Sequence, residues 1–226
     1  MAGRNSWLTD GRVDGWTAAT AIALLALVAA CREKAPPAAD TTGAGAKSTA
    51  VAGPAPDSFR VAFETTRGNF VVQVNRAWAP AGADRFYELV GQQFFDGEKF
   101  FRVVPGFVAQ FGLSGDPKRN EPWDAKRIPD DSVRHTNAKG TLTFAAMSVP
   151  NTRSHQLFFN LKDNAPLDGM GFAPIGVVVQ GMSVVDSIYS GYGETPDQTS
   201  ISNLGNSYLD RAFPKLDGIK AARIVK

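Results

Sequence analysis

From Ser58 onward the chain breaks into short strand-like runs separated by turn residues, with only two stretches of helical spacing and no β-α-β alternation. That pattern excludes a doubly wound parallel sheet and points to a barrel or sandwich with helices at its ends. Phe59-Arg60-Val61-Ala62-Phe63-Glu64-Thr65-Thr66 alternates, Arg67-Gly68-Asn69 turns the chain, and Phe70-Val71-Val72-Gln73-Val74-Asn75 returns it as a β-hairpin. Ala79-Pro80 opens a helix predicted to run to about Gln92, with Ala83, Phe86, Leu89 and Val90 on one face. Further strands are predicted at 98–104 and 107–112, joined by Pro105-Gly106, and at 141–147, 156–161 and 172–179. A second, short helix is predicted from Gly181 to Ser187, and Arg223-Ile224-Val225 as the closing strand. Most of the fifteen phenylalanines read as core, Phe63, Phe70, Phe86 and Phe144 among them.

The chain before Ser58 is of another kind. Residues 16–30 form an uncharged apolar run, shorter than the roughly 20 residues of a membrane span and suited to a signal peptide. Val28-Ala29-Ala30-Cys31 ends it, and small residues before a cysteine resemble a bacterial lipobox, in which the thiol receives a diacylglyceryl group. Cys31 is the chain's one cysteine, so an internal disulfide is impossible and lipid attachment accounts for the solitary thiol. Arg32 to Asp57 has no aromatic residue and four prolines, a composition that cannot bury enough apolar surface to order itself. As a random coil it reaches roughly 25–30 Å. The expected organisation is a signal peptide over 1–30, a lipidated cysteine and tether over 31–57, and one folded domain over 58–226. A net charge of +2 with no long basic run excludes a nucleic-acid surface.

Within the domain, the run Phe100-Phe101-Arg102-Val103-Val104-Pro105-Gly106-Phe107-Val108-Ala109-Gln110 places one fixed cation in an apolar strand, followed by a turn, an aromatic and an amide. A guanidinium offers five donors in a rigid fork and needs partners or water wherever it sits. Taken alone, Arg102 reads as an exposed strand residue, and strict alternation would send Phe107 and Gln110 to opposite faces. His135 and His155 lie in polar sequence without metal-ligand spacing and read as solvated; Asp130-Asp131 reads as part of a charged loop. The loop at about 113–139 exceeds the usual connection length, and residues beyond 190 carry no motif.

The order of these pieces resembles the cyclophilins over about residues 58–190. Three blocks carry the resemblance: Phe63-Glu64-Thr65-Thr66-Arg67-Gly68 leading to Ala79-Pro80; Phe-x-Arg, four residues, then Phe-x-x-Gln at 100–110; and Gly140 to Ala145 with Pro150-Asn151-Thr152, Gln156-Leu157-Phe158-Phe159, Leu167-Asp168-Gly169 and Phe172 to Met182. The resemblance implies a closed eight-stranded β-barrel capped by two α-helices, and peptidyl-prolyl cis-trans isomerase activity. It implies Arg102, Phe107 and Gln110 as catalytic positions, and Val108, Ala145, Gln156, Phe158 and Leu167 as substrate-binding ones. Departures include Phe101 where histidine is common, Phe111 in place of glycine, Ala146 in place of asparagine, Pro166 in place of an aromatic, and no histidine after Leu167-Asp168-Gly169.

The amide barrier of about 18–20 kcal/mol falls when a donor stabilises the twisted state, so no metal or cofactor is expected. The sequence thus leads to a lipid-anchored, monomeric isomerase on the periplasmic side of a bacterial membrane, binding proline-containing segments of exported proteins. The alternative is a proline-segment binding module or chaperone with little turnover.

Overall fold

The computed structural model describes residues 53–226; the apolar run, Cys31 and nearly all of the tether lie outside the described residues. Eight strands pair antiparallel throughout: β1 (Ser58–Thr65), β2 (Gly68–Asn75), β3 (Arg102–Val104), β4 (Val108–Phe111), β5 (Thr141–Phe144), β6 (Leu157–Asn160), β7 (Pro174–Gln180) and β8 (Ile219–Val225). They form one sheet in the order β3-β4-β6-β5-β7-β2-β1-β8, curled into a half-barrel. The expected hairpin is β1–β2, and its alternation sends Phe59, Val61, Phe63, Phe70, Val72 and Val74 inward. Register opposes Phe63 to Phe70, whose rings stack at 4.8 Å. Phe111, a departure from the family pattern, is fully buried among Phe63, Phe95, Phe100 and Phe159, so the extra ring is absorbed by an aromatic core.

Among the described residues six α-helices, rather than the two expected, accompany the sheet, with one 3-10 turn at Pro117–Arg119: α1 (Pro80–Gly91), α2 (Glu121–Asp124), α3 (Pro166–Gly169), α4 (Met182–Asp186), α5 (Gln198–Leu204) and α6 (Asn206–Ala212). Helices of four to seven residues contain too few periodic positions to stand out in sequence. α1 buries Ala83, Phe86, Leu89 and Val90 as their spacing predicts. Its own N-cap residue, Ala79, has no capping side chain. Instead Asp131, from the long loop, accepts hydrogen bonds from the Ala81 and Gly82 amides at 3.1 and 2.8 Å. Its neighbour Asp130 pairs with Arg153. The Asp130-Asp131 pair is thus a pair of structural pins rather than a merely charged loop.

The two ends of the sheet approach one another. Lys99, just before β3, forms an isolated bridge with Gly218, just before β8, and the Phe100 and Ile219 amides donate to the Asp217 and Glu98 carbonyls at 2.9 and 2.8 Å. Glu98 is fully buried in this seam, and neither carboxyl oxygen has a partner of good hydrogen-bond geometry. Burial pushes its carboxyl well above the ordinary carboxylate range; the Gly112 amide and Arg119 charge oppose the shift, and Asp96 adds to it. A raised pKa means that the folded state holds the proton where the unfolded chain releases it. This stability is therefore fully present below the unfolded value and is lost as pH rises through the window above it, at up to about 1.4 kcal/mol per pH unit. Glu98→Gln is expected to remove that slope and to raise Tm more at pH 7 than at pH 4. Parallel melting curves across pH check this, and an unchanged difference between the two pH values would overturn it.

Candidate active site

Strand register builds the site. Arg102 opposes Gln110 across β3–β4, and Gln110 opposes Phe158 across β4–β6, so the three side chains form one cross-strand row on one face. Val108, two residues before Gln110, shares that face, while Ala109 and Phe111 turn into the core. Phe107 escapes the alternation argument because it lies in the turn that precedes β4. All eight groove residues read from the sequence (Arg102, Phe107, Val108, Gln110, Ala145, Gln156, Phe158 and Leu167) line one cavity of about 700 Å³.

The floor is apolar: Val108, Phe158 and Leu167 are buried together, and Phe107, Ala145 and Phe172 pack against them. Phe172 meets Phe158 edge-on at 5.9 Å. The rim is polar and ordered. Arg102 lies with its guanidinium carbon 5.8 Å from the centre of the Phe107 ring, and its Nη1 donates to Gln110 Oε1 at 3.2 Å. Gln110 Nε2 in turn donates to Gln156 Oε1 at 2.9 Å. The guanidinium thereby sets the orientation of two successive amides, because each oxygen is already committed as an acceptor.

A buried asparagine network holds the floor in place. Asn164 Nδ2 donates to the Phe107 carbonyl at 2.9 Å and to Asn160 Oδ1 at 2.7 Å. Asn137 Nδ2 donates to Asp168 in α3 and to the Phe172 carbonyl, while Asn137 Oδ1 accepts from Thr143 and Asn160. These residues fix Phe107, Leu167 and Phe172 without entering the groove, and lone asparagines in a sequence give no sign of it. Sequence reading also missed Glu194, which bonds Arg102, and several residues that line the cavity, Gln198, Met147, Met170 and Phe172 among them.

His155, read from sequence as solvated, is buried between the Gly112 carbonyl at 2.5 Å and the Asp124 carboxylate at 2.8 Å. It ties α2 to the end of β4. Gly112 has φ +106, and a Cβ there would meet the His155 carbonyl oxygen at 2.3 Å, so this glycine is required by both conformation and space. His135 is exposed and stacks on Trp78 at 3.9 Å. Among the described residues no group of three or more His, Cys, Asp or Glu side chains converges to hold a metal ion.

Curled antiparallel sheet and groove together define the class: a mainly β domain with an apolar-floored pocket beside a hydrogen-bonded guanidinium. The chain belongs to the cyclophilin-type peptidyl-prolyl cis-trans isomerases. Residues 60–205 match the family model described as cyclophilin type peptidyl-prolyl cis-trans isomerase/CLD. Peptidyl-prolyl cis-trans isomerase A of Dickeya dadantii is 35% identical over 177 residues, covering 75% of this chain and 86% of that protein. A cyclophilin type isomerase of Cryptosporidium parvum superimposes with a TM-score of 0.57 at 17% identity, covering 75% of this chain and 98% of its own. A second structure of it, in the presence of the dipeptide Ala-Pro, gives 0.55 at 18% identity, covering 74% and 99%. The activity is therefore peptidyl-prolyl cis-trans isomerisation.

Proposed function

We propose that this isomerase accelerates X-Pro rotation in exported proteins, using Arg102 as the donor that stabilises the twisted amide. The observation that carries the reading is the cross-strand row, which sets the Arg102 guanidinium beside the apolar floor of Val108, Phe158 and Leu167. A proline ring held on that floor, against Phe107, places its nitrogen within reach of the guanidinium. As the amide twists, conjugation is lost and the prolyl nitrogen becomes pyramidal and basic, so a donor aimed at it stabilises the transition state more than the planar ground state. Gln110 orients the guanidinium, and Gln156 and the backbone near Ala145 hold the flanking chain. The Ala-Pro dipeptide in the Cryptosporidium structure is in keeping with a pocket of this kind. The curled sheet is read as a closed barrel, sealed at the Lys99–Gly218 bridge, which gives the groove a rigid wall.

Outside the groove, the reading rests on sequence. The apolar run at 16–30 and the motif Val28-Ala29-Ala30-Cys31 support export and lipidation at Cys31, with residues 32–57 as a tether for a monomeric domain on the periplasmic side of a bacterial membrane. Cys31→Ser in the full chain is expected to move the protein from the membrane to the soluble fraction and to abolish incorporation of labelled fatty acid. Persistent membrane association of the unlabelled variant would overturn the lipid anchor.

A further inference from the structure

Between Tyr189 and Asp217 lies a segment without any motif of its own, yet the fold ties it down on every side. Its two ends are joined by the Tyr189 amide donating to Asp217 Oδ2 at 2.7 Å. Ile201 of α5, Leu209 of α6 and Leu216, just after α6, are buried together with Phe101 and Leu113, which flank β3 and β4. Phe101, the residue beside Arg102, is thus the base on which this segment rests. Asn206 adds polar attachment, its backbone amide donating to the Gly115 carbonyl and its side chain to the Gly97 carbonyl, each at 2.9 Å.

From that base the chain reaches the edge of β3 that β4 does not occupy. The Val103 amide donates to the Gly193 carbonyl at 3.2 Å. This main-chain bond sets the next residue, Glu194, alongside Arg102. Glu194 Oε1 accepts from Arg102 Nε at 2.7 Å and from Nη2 as well.

We propose that Glu194 is a positioning residue for Arg102, and that the 189–217 segment exists in part to deliver it. The proposal rests on the reading of Arg102 as the catalytic donor. An arginine carries several rotatable bonds, and β3 is only three residues long. Without Glu194, the side-chain hydrogen bonds to the guanidinium reduce to the single neutral bond from Nη1 to Gln110 Oε1. Glu194 fixes the other edge, and with it the plane of the group. Three of the five guanidinium N–H donors are then engaged, which leaves one on each Nη for a substrate carbonyl and the prolyl nitrogen. The ion pair joins side chains that are 25% and 63% exposed, so it contributes little to folding stability. Its effect falls on orientation, and orientation is what a transition-state donor needs.

The test compares Glu194→Ala and Glu194→Gln in the full chain, with kcat and KM for a proline peptide measured separately and Tm as a folding control. Glu194→Ala is expected to lower kcat about tenfold with KM within about twofold, whereas Glu194→Gln, whose amide oxygen still accepts, stays within about threefold of the parent. In an Arg102→Lys background, which lacks the fork, Glu194→Ala is expected to change kcat by less than about twofold. An unchanged kcat in Glu194→Ala, or a loss that persists undiminished in the Arg102→Lys background, overturns the proposal. A fall in KM with kcat maintained also overturns it, because Glu194 would then compete with substrate for the guanidinium. If Arg102→Ala itself keeps full activity, the underlying assignment of Arg102 fails instead, and the two failures are told apart.

Discussion

Arg102→Ala is expected to reduce kcat/KM by about 100- to 1000-fold while leaving the fold intact, the loss of one transition-state donor costing about 2.7–4 kcal/mol. The magnitude follows from what remains. The apolar floor still holds the proline ring and excludes water, so KM changes little; the lost interaction is the one that strengthens as the nitrogen becomes basic. Stability is spared because the ion pair that disappears is with the largely exposed Glu194, a kind of contact worth at most about 1 kcal/mol. Arg102→Lys is expected to fall between the two, since an ammonium keeps the charge but cannot satisfy Gln110, Glu194 and substrate through one planar fork. Prolyl isomerisation without a catalyst takes tens to hundreds of seconds, so a refolding reaction limited by that step gives a wide window for the measurement. An Arg102→Ala protein that retains the parent's acceleration, with Tm unchanged, would show that the pocket alone does the work.

The parts of this molecule that follow local rules are readable from the sequence. β1 and β2 announce themselves by alternation, and α1 by Pro80 and its apolar face. Phe63, Phe70, Phe86 and Phe144 are buried as their positions imply. The groove is readable only through widely spaced blocks: alternation alone separates Phe107 from Gln110, and a turn residue brings them back together. What escapes is set by distance in the chain. Glu194 is 92 residues from Arg102, and no spacing rule connects them. The start of α5 does carry a signal, Asp197 accepting from the Ser200 amide at 2.7 Å, but two turns of helix give no face long enough to assign. Asp131 capping α1 from 50 residues away, and His155 buried under a loop, are tertiary facts in the same sense.

Asn137 is the residue on which the largest stability loss is expected. Its side chain is fully buried and makes every hydrogen bond an amide can make: two donated by Nδ2, to Asp168 Oδ1 at 2.7 Å and the Phe172 carbonyl at 2.8 Å, and two accepted by Oδ1, from Thr143 at 2.9 Å and Asn160 at 3.1 Å. Truncation to alanine leaves the Thr143 hydroxyl and the Phe172 carbonyl without those partners, while Asn160 keeps Thr141 at 2.8 Å. At about 1–3 kcal/mol for each buried group left unsatisfied, Asn137→Ala is expected to cost about 3–5 kcal/mol, a large share of the roughly 5–15 kcal/mol that holds an ordinary domain together. For a domain of this size that is a fall in Tm of roughly 10 °C or more. Asn137→Asp is expected to be worse than its near-identical shape implies, because it would set a second carboxylate against Asp168. Function should respond in a different way from Arg102→Ala. Asn137 fixes α3 and Phe172, so their loosening widens the pocket and raises KM, while the Arg102–Gln110 row on β3 and β4 stays in register and preserves kcat for whatever substrate binds. Melting curves together with separate kcat and KM values would decide the matter, and a Tm within two or three degrees of the parent would mean that the network rearranges around the lost amide.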